Sequence, residues 1–203
     1  MDAKSFLAVM HIAERLKDTL RHCTTSQRRV ESVAEHSWRI ALMAQLLRHE
    51  FPDTDIDKVT VMCLIHDLGE CFTGDIPTFV KTDADRAHED TLLEHWIQSL
   101  PPEIASDFTA LFSEMHTQQT AEAKLFRALD KLEALIQHNE SPLNTWSENE
   151  YSLNLTYAYD TVTFSDWLTS LRNEIKNETL AKLTCEGESS SNTNPDNQRK
   201  RNE

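Results

Sequence analysis

The chain has 203 residues and a formal net charge of −14, from 34 Asp and Glu residues against 20 Lys and Arg residues. This length suits one domain with a sizeable core, and a hydrophobic content of 39% is ordinary for a globular protein. The acidic balance argues against a nucleic-acid polymer as the main partner, because phosphate backbones are bound through basic surfaces. It leaves room for a small phosphorylated ligand, since a metal ion and a few arginines can make a pocket locally positive.

The hydropathy pattern argues against a membrane partner. No stretch approaches the ~18 uninterrupted apolar residues that a membrane span needs. The N-terminal segment MDAKSFLAVMHIAERL contains His11 and Glu14, and it predicts an amphipathic helix rather than a signal peptide. The four cysteines have no C-x-x-C spacing and indicate no disulfide framework. We therefore expect a cytoplasmic protein.

The local patterns predict helices along nearly the whole chain. There are only three glycines, and the β-branched residues form no alternating runs, which favours helices over strands. In chain order, helical spacing of apolar residues predicts helices over residues 5–20, 33–49, 58–70, 83–100, 102–115, 120–138, 148–159 and 165–183. A polar and basic segment separates the first two, and Asp57 is a plausible N-cap for the third.

The C-terminal segment differs in composition from the rest of the chain. From Thr184 onward Ser, Asn, Pro and charged residues dominate, which predicts a disordered tail. The expected fold class is therefore all-α. One helical domain occupies residues 1–183, and a polar tail follows over residues 184–203.

The segment LIHDLGECFTGDIP carries a dense group of ionisable residues. An apolar stretch delivers an adjacent His66–Asp67 pair, and such a pair is costly to bury unless the two groups interact with each other or bind a metal. An isolated His-Asp pair is most often a histidine held by its neighbouring carboxylate. Here, however, Glu70 lies on the same helical face as His66, and two glycines flank a turn that ends at Asp75. This concentration indicates a functional site.

Two residues elsewhere in the sequence are candidates to complete a metal site. His36 falls in the first turn of a predicted helix, within ESVAEHSW. Asp130 lies in the strongest apolar stripe of the chain, where the alternative is a buried ion pair with an arginine or lysine. With His66 and Asp67 they make a mixed N/O set, which suits one divalent ion of Mn, Co, Fe, Ni or Zn better than calcium. Four protein ligands leave room at a six-coordinate ion for water and a phosphoryl oxygen.

The pattern H…HD…D resembles that of the HD-domain phosphohydrolase superfamily. The segments E-S-V-A-E-H-S-W, I-H-D-L-G-E-x-x-x-G-D-I-P and A-L-D-K-L-E-A are similar to those of its 5′-deoxynucleotidase branch. The matches extend over residues 21–137. The resemblance implies an all-helical fold, often a homodimer, and removal of the 5′-phosphate from nucleoside monophosphates.

The resemblance also implies roles for individual residues. The residues that match the family's metal ligands are His36, His66, Asp67 and Asp130. Glu70 and Asp75 match its catalytic carboxylates, and Arg21 matches an arginine that contacts substrate. The branch commonly has a Trp close after this arginine, whereas this chain reads RHCTTSQRR. We therefore expect weaker discrimination against ribonucleotides than the branch has.

Other functions are also compatible with the same residues. An HD hydrolase acting on a nucleoside triphosphate or a guanosine polyphosphate would keep the same metal ligands. A non-catalytic protein that binds nucleotide or metal would keep the fold and could lose Glu70 or Asp75, so the presence of both favours an enzyme. A second metal at His88, His95 and His116 is disfavoured, because Glu70 occupies the place where dinuclear HD proteins have further histidines.

Overall fold

The computed structural model describes the backbone of residues 1–191 and the side chains of residues 1–185. Its helices are α1 Ala3–Ala13, α2 Val33–Leu46, α3 Ile56–Ile65, α4 Glu70–Thr73, α5 Asp83–Gln98, α6 Pro102–Thr117, α7 Ala121–Glu140, α8 Glu150–Thr156, α9 Tyr159–Val162 and α10 Asp166–Ser191. Two short strands, β1 Leu20–Thr24 and β2 Val30–Ser32, pair antiparallel. The predicted all-α class is confirmed. Within residues 1–191, no helix combines the length and the apolar character that a membrane crossing requires.

Helix α7 lies at the centre of the domain. It packs against α2, α3, α6, α9, α10 and β1. Its buried face carries Leu125, Leu129 and Leu132, all with no exposed surface. Burying one leucine side chain is worth about 1.5–3 kcal/mol, so this face is a large part of the core. Any polar group that α7 places on this face is therefore held in a rigid, water-poor setting.

Side-chain caps fix where the helices of the site begin. Ser32 and Glu35 form a reciprocal capping box at the start of α2, with Glu35 Oε2 accepting from the backbone N–H of Ser32 at 2.9 Å. This cap sets the register that puts His36 in the first turn. Helix α3 is capped by Asp55, whose carboxylate accepts from the backbone N–H of Lys58. The prediction of Asp57 as the cap is wrong, since Asp57 lies inside the first turn and pairs with Arg48.

The N-terminal region differs from its predicted form. Helix α1 ends at Ala13, and a 3-10 turn over Glu14–Lys17 leads into β1, where the sequence pattern predicts helix through residue 20. The polar segment that follows is a β-hairpin, whose turn places Arg28 at a positive φ of 62°. Gln137 on α7 donates to the carbonyl of Thr24 at 2.7 Å. The hairpin is thus held by a contact distant in sequence, which the local pattern does not contain.

Two further predicted bounds differ from the structure. The helix predicted over residues 58–70 ends at Ile65, and the chain then turns through i to i−3 bonds such as Leu68 N–H to Ile65 carbonyl at 3.0 Å before α4 starts. Helix α10 continues to Ser191, past residue 184, where the tail is predicted to begin. Residues 192–203 of that predicted tail lie outside the described residues.

Candidate functional site

The structure brings the four predicted metal ligands into one cluster. His36 comes from α2, His66 and Asp67 follow the end of α3, and Asp130 comes from α7. His36 Nε2 lies 3.2 Å from Asp130 Oδ1, and His66 Nε2 lies 3.7 Å from the same oxygen. His66 Nε2 is also 2.9 Å from Asp67 Oδ2. One ligand atom each of His36, His66 and Asp67 falls within 4.8 Å of the others.

The orientation of the His66 ring fits a metal ligand. Its Nδ1 is 3.0 Å from the carbonyl of Cys63, so this nitrogen carries the proton and Nε2 carries a lone pair. Within the part of the chain that the structure describes, His66 Nε2 is buried without a hydrogen-bond partner, although carboxylate oxygens surround it. A lone pair facing carboxylates is unfavourable unless a proton or a cation lies between them. The donor set of two imidazoles and two carboxylates suits a divalent transition-metal ion.

Glu133 holds the His36 ring from behind. Its Oε2 lies 2.5 Å from His36 Nδ1, and both side chains are fully buried. Burial lowers the pKa of His36, but hydrogen bonds to Asp130 and Glu133 outweigh burial and raise it to about 9. A carboxylate on the far nitrogen fixes the tautomer and orients Nε2 toward a metal. Sequence reasoning missed Glu133. The available signal was a second carboxylate in the α7 apolar stripe, one turn after Asp130.

Arg21 is placed beside this cluster by β1. Its Nε lies 3.0 Å from Glu31 Oε2, and only 11% of the Arg21 side chain is exposed. Its guanidinium interacts electrostatically with Asp67 and Glu133, so its positive charge faces the acidic centre. Glu31 is also buried and accepts from the Cys23 thiol at 3.1 Å. Glu31 therefore fixes the direction of Arg21, and sequence reasoning had not identified it.

Glu70 lies near both Asp67 and Asp75, whose negative charges act on it. Glu70 is the first residue of α4, and within residues 1–185 its Oε2 is buried with no hydrogen-bond partner. Burial, followed by the negative charges of Asp67 and Asp75, raises the pKa of Glu70 to about 10. Gly74, at a φ of 77°, ends α4 and sets Asp75 at the edge of the site, where it is half-buried. In the metal-free protein Glu70 is thus a protonated acid close to Asp67.

Gly69 lets α5 approach the turn that follows His66 and Asp67. A Cβ atom on Gly69 would lie 2.8 Å from Cγ of Glu89. Glu89 in turn accepts from Lys81 Nζ at 2.7 Å and from the Thr73 hydroxyl at 3.1 Å. This contact fixes the segment that carries Glu70. Gly69 has an ordinary helical φ of −59°, so its role is close packing against Glu89, which is remote in sequence.

The alternative histidines do not form a metal site in the described structure. His88, His95 and His116 are all exposed on the surfaces of α5 and α6. None of them belongs to a group of ligand atoms close enough to share an ion, as far as residues 1–185 are concerned. The cluster of His36, His66, Asp67 and Asp130, called the HD centre below, is therefore the site that matches the sequence motifs.

Comparisons with known proteins identify the family of this chain. The sequence model of the HD domain family matches residues 13–171. The 5′-deoxynucleotidase HDDC2 of Homo sapiens is 30% identical over 142 residues, which cover 68% of this chain and 69% of that protein. The 5′-deoxynucleotidase HDDC2 of Xenopus laevis is 33% identical over 138 residues, covering 66% and 68%.

Solved structures give the same picture. The crystal structure of a "Predicted metal-dependent phosphohydrolase" from Magnetospirillum magnetotacticum MS-1 superposes with a TM-score of 0.73 at 28% identity, over 88% of this chain and 95% of that one. An HD-domain phosphohydrolase from Listeria innocua, 22% identical with a TM-score of 0.67 over 87% and 90% of the two chains, shares the fold. The chain belongs to the HD-domain family, and it is a metal-dependent phosphohydrolase similar to the 5′-deoxynucleotidases.

Proposed function

We propose that this protein removes the 5′-phosphate from nucleoside monophosphates with one divalent ion of Mn, Co, Fe, Ni or Zn. The proposed ligands are His36, His66, Asp67 and Asp130. The observation that carries the proposal is the cluster of oriented Nε2 atoms and carboxylates beside the buried acid Glu70. The relatives named 5′-deoxynucleotidases support a small nucleotide as the substrate class.

The residues of the site have separate roles in hydrolysis of the phosphate ester. When bound, the ion polarises a phosphoryl oxygen and makes a water molecule more acidic. Arg21, held by Glu31, neutralises charge on the phosphate through charge-assisted hydrogen bonds. Of the two carboxyl groups of Glu70 and Asp75, one accepts the proton of the attacking water and the other supplies a proton to the leaving 5′-oxygen. The negative charges of Asp67 and Asp75 help to keep the proton on Glu70, which suits this exchange.

Sugar selectivity is proposed to be weaker than in the deoxynucleotidase branch. The position after Arg21, near which that branch commonly has Trp, holds His22 in this chain. Its ring is held by Glu150 at 3.0 Å and meets the Phe79 ring edge-on, with centroids 5.4 Å apart. A smaller ring rejects a 2′-hydroxyl by steric clash less completely than an indole does. We therefore expect both deoxyribo and ribo monophosphates to be hydrolysed.

The proposed assembly is a homodimer formed through α2 and α3. Trp38 and Leu46 on the outer side of α2 are 62% and 73% exposed, and Leu42 lies between them. Val61 and Leu64 are also exposed on the neighbouring α3. An apolar surface of this kind is typical of an interface between subunits. Light scattering of wild type and of Leu46→Glu tests it, and a monomeric mass for both proteins contradicts it.

The decisive experiment is a phosphate-release screen on chelated protein with single metals added back. Nucleoside monophosphates in paired 2′-deoxy and ribo forms are compared with triphosphates and guanosine polyphosphates. We expect phosphate release from the monophosphates, dependent on metal and abolished by Asp67→Ala. His95→Gln, an exposed histidine on α5, is the matched control and should keep full activity. Preference for triphosphates or guanosine polyphosphates would replace the proposed substrate class.

A further inference from the structure

A second cluster of side chains that could bind a metal shares no ligand with the HD centre. It consists of His22 on β1, His138 on α7 and Glu150 at the start of α8, with one ligand atom of each within 4.8 Å of the others. Glu150 Oε1 is 3.0 Å from Nε2 of His22 and 3.0 Å from Nε2 of His138. Imidazoles from β1 and α7 thus converge on one carboxylate oxygen of α8.

The ring of His138 is oriented in the same way as that of His66. Its Nδ1 lies 2.7 Å from the carbonyl of Ala134, so Nδ1 carries the proton and Nε2 directs a lone pair at Glu150. His66 has the same arrangement, with Nδ1 on a backbone carbonyl of its own helix and Nε2 against carboxylates. Such an arrangement needs either an extra proton or a cation between the nitrogen and the oxygen.

The Glu150 carboxylate is held in one orientation by a backbone contact at the start of α8. Its second oxygen accepts from the backbone N–H of Ser147 at 2.5 Å, which leaves Oε1 directed at the two imidazoles. The result is an oxygen donor atom with a fixed position between the two rings.

We propose that His22, His138 and Glu150 bind a second transition-metal ion of the zinc type, separate from the HD centre. Two imidazoles and one carboxylate form a known three-ligand set for Zn²⁺, with a fourth position left for water. In a tetrahedral site with metal–donor bonds of ~2.0–2.2 Å, donor atoms lie roughly 3.3 Å apart. The separations of 3.0 Å around Glu150 Oε1 need only a small opening to reach that geometry.

The second cluster is open to solvent on one side and is flanked by two aromatic rings. The His22 side chain is 28% exposed, whereas those of His138 and Glu150 are about 10% exposed or less, so the site opens on the His22 side. The Phe79 ring lies 5.4 Å from that of His22, and the Trp146 ring lies 5.6 Å from that of His138. Aromatic walls limit the access of water and strengthen the attraction between the ion and its ligands.

An ion at this site acts on the hairpin that carries Arg21. His22 follows Arg21 directly on β1, and His138 lies on the helix that also carries Asp130 and Glu133. Ligation would tie β1 to α7 and α8, and so hold the guanidinium in register with the HD centre. The second ion is thus a stabilising and positioning group for the substrate-binding strand.

Elemental analysis of the whole protein tests this proposal. After equilibration with buffered zinc, wild type should carry about two ions per chain and His22→Gln about one. Gln retains a hydrogen-bond donor toward Glu150 and removes the imidazole. Asp130→Ala, which disables the HD centre, should retain the ion at the second site, and the His22→Gln/Asp130→Ala double variant should retain none. His95→Gln, an exposed histidine, is the control and should match wild type.

A spectroscopic and a thermal readout complete the test. Cobalt bound by Asp130→Ala should give the strong visible absorption of four-coordinate Co²⁺, and the double variant should lose it. Zinc should raise the melting temperature of Asp130→Ala and leave that of the double variant unchanged. Equal zinc content in wild type and His22→Gln, together with no thermal response to zinc in Asp130→Ala, overturns the proposal and leaves the cluster as a proton-bridged ion group. If wild type binds the second ion but hydrolyses no nucleotide, the result contradicts the proposed function of the HD centre and supports the second site.

Discussion

His36 and Glu133 are joined by a fully buried contact of 2.5 Å between Nδ1 and Oε2, which connects α2 to α7 behind the metal ligands. Glu133 does not reach the ligand cluster itself, and it acts through the ring that it holds. We expect Glu133→Gln to keep the ring orientation but to lower metal affinity about 10- to 100-fold, because the charged partner is lost. Glu133→Ala should also destabilise the fold by about 3–5 kcal/mol, since it leaves His36 buried without this partner. Metal titration and chemical unfolding of both variants separate the two effects, and equal affinity in wild type and Glu133→Gln contradicts a positioning role.

Removing a ligand should remove one ion. His66→Ala and Asp130→Ala are each expected to contain about one metal ion fewer per chain than wild type. Their melting temperatures should fall below that of wild type, since an ion that binds the folded state stabilises it by mass action. Elemental analysis measures the first effect and calorimetry the second. Unchanged metal content in both variants would falsify the assignment of the HD centre.

Glu70→Gln should separate metal binding from chemistry. The substitution preserves size and removes the exchangeable proton, so metal content should stay at the wild-type value. Turnover should fall at least ~100-fold, the usual contribution of a positioned acid or base. Single-turnover phosphate release, with metal content measured on the same sample, is the appropriate assay. Full turnover would make Glu70 a structural carboxyl group at the start of α4.

The raised pKa of Glu70 makes the stability of the metal-free protein depend on pH. The folded chain keeps this proton up to about pH 10, whereas the unfolded chain releases it near the ordinary value of 4.5. Between these values the folded state binds more protons, so this group makes the free energy of unfolding decrease as pH rises. Chelated Glu70→Gln should therefore be more stable than chelated wild type at about pH 8, and the difference should shrink toward about pH 4.5. Urea unfolding at several pH values measures it, and a constant difference would contradict the burial of a protonated acid.

Arg21→Ala should weaken every phosphomonoester substrate by a similar factor. Loss of a charge-assisted contact costs about 1.5–3 kcal/mol, roughly 10- to 150-fold in kcat/KM. Stability should fall as well, because Glu31 would be left buried without this partner. Arg48→Ala, which breaks an exposed pair with Asp57, is the matched control. Kinetics on paired deoxyribo and ribo monophosphates test both Arg21 and the sugar selectivity. An unchanged kcat/KM in Arg21→Ala would remove Arg21 from the site. A strong preference of wild type for the deoxyribo substrates would refute relaxed sugar selectivity.

The sequence predicted those parts of the site that depend on local order. His66, Asp67 and Glu70 follow one another along a turn, and Asp130 stands out as a carboxylate in an apolar helical stripe. Their proximity to His36 came from a family pattern, because nothing in local spacing brings α2, α3 and α7 together. The structure brings all four ligands together, and their metal-binding role remains a prediction for the experiments above.

What the sequence did not predict depends on contacts between distant segments. The hairpin is stabilised by pairing between its strands and by the bond from Gln137 to Thr24, and a short polar segment carries no periodic signal for either. The role of Gly69 depends on Glu89 of α5, and the second cluster combines His22 with residues of α7 and α8. Such contacts are visible only once the helices are packed.

One continuous helix, α7, supplies residues to both clusters. The spacing of residues along α7 therefore sets how the two clusters are placed relative to each other. Asp130 and Glu133 face the HD centre, whereas His138, five residues after Glu133, faces the second cluster. Each residue added to an α-helix turns everything beyond it by about 100° and shifts it by about 1.5 Å. One residue inserted between Glu133 and His138 would leave the HD centre intact and swing His138 away from Glu150. The spacing along α7 is therefore under tighter geometric control than the loops around it, and changes in that spacing can disconnect the two clusters without replacing a single ligand.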